Sequence, residues 1–250
     1  MAHVVGSVTS GGEHGDRSRT MPAGALLDLG QRQNPWAVVT LVLEESLVKS
    51  RERVKSYGEV FTPRHMVDKM LDLVANELEG PGFVDKTFLE PSAGDGNFLV
   101  AILQRKLAAV ERTYEPAQWS QESLFALASI YGIELLEDNH QEACAAMLDT
   151  FLDFHRGHGT ACHTGTNLHR AASFLIDTNI VRGNTLTGLD AEGLEIHFSW
   201  WNRVPNTPGS VEREPFRFTS LREESMFDFD VHATYAVCPI SQVHQEVRVK

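Results

Sequence analysis

The stretch that decides the fold is Thr87-Phe88-Leu89-Glu90-Pro91-Ser92-Ala93-Gly94-Asp95-Gly96-Asn97-Phe98. Thr87-Phe88-Leu89 is a short β-run, two glycines turn the chain, and Phe98, Leu99, Ile102, Leu103, Leu107 and Val110 mark the buried stripe of a following helix. Glycine tolerates positive φ and lets a ligand come close to the backbone. The helix start offers unpaired amides to an anionic group. An acid at the strand tip, here Glu90, takes a cationic ammonium instead. A lone Gly-x-Gly reads as a plain βα turn, but Glu-Pro-x-x-Gly-x-Gly-x-Phe between a strand and a helix is far more specific.

Downstream, Pro116 breaks the helix and a second short helix is predicted from Ser120 to Ala128. Ile130-Tyr131-Gly132-Ile133-Glu134 reads as the next strand. Glu137 to Phe154 reads as the next helix, with Ala143, Met147, Leu148, Phe151 and Leu152 inward. Arg156 to Arg170 reads as a His/Gly/Thr loop, and Phe174 to Val181 as a third strand ended by Gly183-Asn184. Upstream, Thr62-Pro63 starts a helix, with Thr as cap and Pro at the first helical position. Its stripe is Val67, Met70, Leu71, Val74 and Leu78, and Gly80-Pro81-Gly82 stops it.

Four segments follow: a disordered tail over 1–33, a helix within 34–57, a binding domain over 58–190, and an irregular extension with short strands over 191–250. Strand, glycine turn, helix, strand, helix, strand predicts an α/β protein with a parallel, Rossmann-like sheet.

Composition narrows the class. In 250 residues, 22 Lys plus Arg against 34 Asp plus Glu give a net charge of −12, with 42% apolar residues. That excludes collagen, a coiled coil and a wholly disordered chain. No apolar run is long enough for a membrane span, and Met1 to Thr20 lacks the apolar core of an export signal. Cys144, Cys162 and Cys238 are too few and scattered for a disulfide framework, so the expected compartment is the cytoplasm. The acidity weighs against nucleic acid unless the site chemistry overrides it.

Glu134, at the end of the second predicted strand, is placed to accept hydrogen bonds from both hydroxyls of a ribose. It lies 38 residues after Gly96. Dinucleotide enzymes place this acid about 20 residues after their glycines, so the spacing disfavours NAD.

Gly58-Glu59-Val60-Phe61-Thr62-Pro63, the Glu90–Phe98 turn and Tyr131-Gly132-Ile133-Glu134-Leu135 together resemble the opening of the S-adenosylmethionine-dependent N6-adenine DNA methyltransferases. The order is that of the gamma arrangement, with the Phe-Thr-Pro element before the glycine turn. These enzymes commonly belong to restriction–modification systems. The resemblance covers residues 58–136 and implies a class I methyltransferase fold, incomplete here, with S-adenosyl-L-methionine as cofactor and DNA as partner. It implies that Phe61 and Thr62 flank the methionine end of the donor and that Glu90, followed by Pro91, faces its ammonium. Gly94 and Gly96 would allow close backbone approach, Phe98 would pack beneath the turn, Glu134 would hold the ribose, and Leu135 would cover the adenine. At Asn184 the family usually has Asp, accepting from the adenine amino group. Asn184 can accept there without charge, or it can simply form a Gly-Asn turn.

The family's catalytic Asp/Asn-Pro-Pro-aromatic tetrad is not found in the sequence. Asn34-Pro35-Trp36 has one proline and lies before the Phe-Thr-Pro element; Phe227-Asp228-Phe229-Asp230-Val231 leads to no prolines. The expectation is therefore a chain cut short of its catalytic loop, with a free strand edge. The alternatives are a non-catalytic donor-binding module that works with a second subunit, and a methyltransferase acting on RNA or protein. His155, His158, Cys162, His163 and His169 fit no zinc spacing and read as a solvated loop. Trp200-Trp201-Asn202-Arg203 could stack on bases, but core packing is the stronger reading.

Overall fold

The computed structural model describes residues 47–75, 82–221 and 234–249. The tail, the Asn34-Pro35-Trp36 and Phe227–Val231 segments and the end of the helix predicted from Thr62-Pro63 lie outside them. Helix α1 spans Arg51–Tyr57, capped by the Ser50 side chain on the Arg53 amide and ended by left-handed Gly58. Helix α2 spans Arg64–Asp72 and buries Val67 and Leu71. Thr62 is not its cap. Pro63 holds that position without a side-chain bond, and the Thr62 carbonyl accepts from Asn97 Nδ2 at 3.2 Å. The Phe-Thr-Pro element is thus fastened to the start of the helix after the glycine turn.

Strand β1 (Phe88–Glu90), helices α3 (Asn97–Thr113) and α4 (Trp119–Ala128), and strand β2 (Ile130–Glu134) follow the sequence reading closely. Helix α5 runs Glu137–Gly157 and buries Asn139, Ala143, Met147, Phe151 and His155, a stripe of strict i, i+4 spacing. The predicted third strand over Phe174–Val181 is mostly helix: α6 spans Asn167–Asn179, and strand β3 begins only at Ile180 and ends at Asn184. The Phe174-Leu175-Ile176 run is equally at home in a buried strand or a buried helix face. Two features set the helix. Thr166 accepts from the His169 amide as cap, and Leu168, Ala171, Ala172, Leu175 and Ile176 form a helical stripe. The expected loop over Arg156–Arg170 shortens accordingly.

Strand β4 (Leu189–Asp190) completes a mixed, mostly parallel four-stranded sheet in the order β1-β2-β3-β4. β1–β2 and β2–β3 are parallel and β3–β4 is antiparallel. This is an α/β architecture compatible with a Rossmann-like fold. β1 stands at its border, with Leu89 exposed.

The extension over 191–250 is more regular than its prolines suggest. Strands β5 (His197–Arg203) and β6 (Ser210–Arg217) pair antiparallel from His197↔Arg217 to Arg203↔Val211, and β7 (Cys238–Pro239) joins β6. Pro215 is tolerated within β6, where it faces Ser199. This second sheet is joined by side chains to the first sheet and to α6. Tyr131 Oη donates to the Ser199 carbonyl at 2.8 Å, and Trp201 Nε1 donates to Asn179 Oδ1 at 2.9 Å.

One buried cation ties α3 to the segment entering β1. Lys106 Nζ reaches the carbonyls of Phe83, Val84 and Lys86 and the Ser129 hydroxyl at 2.6–3.0 Å. It also lies over the rings of Phe83 and Phe88. Burial pushes its pKa down to about 7. No helix among the described residues is long and apolar enough to cross a membrane.

Candidate functional site

The C-terminal ends of β1, β2 and β3 surround a hollow of about 330 Å³. Ligands of parallel α/β sheets gather at that end, in pockets of about 300–1,000 Å³. Of the residues singled out from sequence, Phe61, Pro91, Gly94, Glu134, Leu135 and Asn184 line it. Thr62, Glu90 and Gly96 do not.

The glycine turn forms the floor. Gly94 sits at φ 57°, and a Cβ there would come within 3.3 Å of the Phe61 ring. Two elements more than thirty residues apart are thereby stacked, ring on backbone. The Gly94 amide donates to Glu134 Oε2 at 2.8 Å, and the Ala93 amide donates to the Ile133 carbonyl. Glu134 Oε1 accepts from the Leu136 amide at 2.9 Å and from Asn139 Nδ2 at 3.4 Å. Glu134 is 7% exposed. A carboxylate has about four acceptor sites, so this one is held in place and still has capacity for a ligand.

Gly96 has another task. At φ 96° its missing Cβ would lie 2.9 Å from the Ala143 Cα. Its bareness lets α5 pack on the turn, so the expected close approach at Gly96 is made by the protein's own helix and not by a ligand. Glu90 stands at the tip of β1, its Oε1 accepting from the Ser92 amide at 3.1 Å. Burial pushes its pKa up, against that amide. No cationic side chain pairs with it among the described residues.

Asn184 resolves toward the turn. Its Oδ1 accepts from the Leu186 amide at 2.9 Å and the Thr187 amide at 3.3 Å. The oxygen expected to meet an adenine amino group is therefore already engaged. Thr185 Oγ1 donates to the Pro91 carbonyl and closes the loop after β3 onto the tip of β1. Leu135, Leu186, Tyr57 and Val60 are exposed at the rim.

Sequence reasoning missed Glu59 and Asn139. Both line the hollow and are bonded together, Asn139 Nδ2 donating to Glu59 Oε2 at 2.9 Å. The same Glu59 oxygen takes Arg53 Nε and Nη2 at 2.9 and 2.6 Å. Asn139 lies five residues after Glu134, in the first turn of α5. An Asn that starts a helix's buried stripe was the available signal.

The tryptophan motif and His155 resolve as packing, whereas His163 is exposed as a loop residue. Trp201 is buried, and Trp200 stacks on Phe216 at 4.4 Å and 11°. Asp85, Tyr131, Trp200 and Arg203 line a separate hollow of about 260 Å³ at the opposite end of the strands. Arg203 there is bound to Asp85 and Glu122 and covers the Phe125 ring. His155 is buried, meets the Ser123 hydroxyl at 3.0 Å, and is pushed down to about 4 by burial and then by His158. No group of three or more His, Cys, Asp or Glu is placed to hold a metal among the described residues.

No family model, curated protein or solved structure matches the chain.

Proposed function

We propose that the chain binds S-adenosyl-L-methionine in this hollow and forms the donor-binding part of a site-specific N6-adenine DNA methyltransferase. The observation that carries the reading is the Gly94–Glu134 bond. It joins the glycine turn after β1 to the acid at the tip of β2, beside a hollow of nucleoside size. Phe61 packed on Gly94 adds support, because it unites the two motifs whose order marks the gamma arrangement. Glu90 lies outside the lining of the hollow but next to Pro91, which is part of it, and with no cationic partner among the described residues it suits the donor's ammonium. Glu134 holds the ribose, Leu135 covers the adenine, and Asn184 shapes the loop that closes over it. DNA as the methyl acceptor rests on the motif resemblance.

Methyl transfer from a sulfonium is an in-line displacement, so the protein supplies position and a dipolar surrounding and no covalent intermediate. The test is calorimetry of the full chain with S-adenosyl-L-methionine and S-adenosylhomocysteine. The expected result is one site, with Glu134→Ala weakening it by about 1–3 kcal/mol through lost charged hydrogen bonds. Absence of binding to the unaltered chain overturns the proposal. Labelled-methyl transfer to adenine-containing duplex, RNA and protein then identifies the acceptor.

A further inference from the structure

The Glu59 side chain is 7% exposed, and all its contacts fall on one oxygen: Oε2 takes Arg53 and Asn139. The other, Oε1, is buried with no hydrogen-bond partner among the described residues. A buried acceptor left empty is rare and costly in a folded protein. Glu59 is also part of the wall of the hollow. The last torsion of a Glu side chain is soft, so a small turn of the carboxylate presents Oε1 to an incoming donor.

The chemistry of that donor follows from the neighbours. Asn139 Nδ2 bridges Glu59 Oε2 and Glu134 Oε1, at 2.9 and 3.4 Å, so the two carboxylates flank one amide. The Arg53 guanidinium neutralises Glu59 through two bonds. Lys49 approaches the far side of Asn139, bonding its Oδ1 at 2.8 Å. Both cations are themselves shared with Asp138 and Glu142, so Oε1 needs only one added donor, which a neutral O–H supplies. Two acceptors side by side fit two hydroxyls on adjacent carbons.

We propose that Glu59 is a second sugar-binding residue, which shares the vicinal diol of the bound nucleoside with Glu134 and makes the site select ribose over deoxyribose. This rests on the nucleoside reading of the hollow given above. Glu59 would then take one hydroxyl on Oε1, Glu134 the other, and Asn139 would hold the pair in register.

The experiment measures, by calorimetry on the full chain, the binding of S-adenosylhomocysteine and its 2′-deoxy and 3′-deoxy counterparts. The proteins are the unaltered chain, Glu59→Ala and Glu59→Gln. In the unaltered chain each missing hydroxyl is expected to weaken binding about tenfold, the loss of one hydrogen bond to a charged group. In Glu59→Ala, the ribose ligand weakens by a similar factor, while the deoxy ligand that lacks Glu59's hydroxyl binds as it does to the unaltered chain. Glu59→Gln keeps its oxygen on Arg53 and Asn139 and turns the free acceptor into a donor. It preserves the fold if alanine does not, and it is expected to reduce the preference for that hydroxyl. Equal weakening of all three ligands, or unchanged ratios among them, overturns the role of Glu59 while the nucleoside site stands. Failure of the unaltered chain to bind any of the three overturns both.

Discussion

Gly94 and Gly96 stand two residues apart in one motif, and the structure assigns them different work. That difference is measurable. In Gly96→Ala, the new Cβ meets the Ala143 Cα at 2.9 Å and its Cβ at 3.1 Å. Both belong to the buried face of α5, and backbone cannot swing aside. Forcing an L-residue to φ 96° costs about 1–2 kcal/mol, and overpacking a filled contact costs about 1–3 kcal/mol. The sum is about 2–5 kcal/mol, which for a chain of this size lowers Tm by roughly 10 °C. In Gly94→Ala, φ 57° is ordinary left-handed backbone, and the new atom meets only the Phe61 ring, at 3.3 Å. That variant should lose about 1–2 kcal/mol of stability but displace Phe61 at the hollow. Urea unfolding and calorimetry with S-adenosylhomocysteine separate the two effects. Gly96→Ala should be the less stable protein and, where still folded, the better binder. A Gly96→Ala protein that unfolds within about 1 kcal/mol of the unaltered chain would refute the packing argument.

Three further outcomes follow from other contacts. Asn184→Asp should keep the turn after β3, since a carboxylate accepts the Leu186 and Thr187 amides equally well, whereas Asn184→Ala should cost about 1 kcal/mol by urea titration. His155 titrates at about 4 in the fold against an ordinary 6.5, so the unfolded chain binds more protons between those values. Stability from this group is complete above pH 6.5 and is lost as pH falls toward 4, by about 3 kcal/mol at most; His155→Phe should flatten that part of the acid limb in thermal melts. Arg203→Met leaves Glu122, 3% exposed, without its cation, and should destabilise by about 3–5 kcal/mol; the double variant with Glu122→Gln should recover part of the loss.

The frame from β1 to α5 was legible because each element there has a distinct period: two strands ended by polar corners, and helices with long stripes. The Phe174–Val181 segment was misread because a continuous apolar run carries no period of its own. The deciding groups were the Thr166 cap and the small Ala171-Ala172 face, both upstream of the run. At the site, the residues of the glycine turn and Glu134 were visible as a motif. Glu59 and Asn139 were not, because their significance arises only when α1, the loop before Phe61 and the first turn of α5 converge. Asn184 shows the converse. Its position was readable, but the target of its oxygen was decided by the two local amides. The β5–β6 hairpin was hidden by Pro205 and Pro208, which fall in its connecting turn, and by Pro215, tolerated within β6.

Of the four tryptophans, Trp119, Trp200 and Trp201 lie apart from the lining of the binding hollow, and Trp36 falls outside the described residues. Trp201 donates to Asn179, and Trp200 is stacked in the hairpin sheet. Trp119 packs on Phe154 and His158 at the end of α5, so indole emission from these three reports on helix packing, on the hairpin sheet and on unfolding, and is blind to direct contact with a nucleoside. Tyr57 and Phe61 are the aromatic rings placed to sense one.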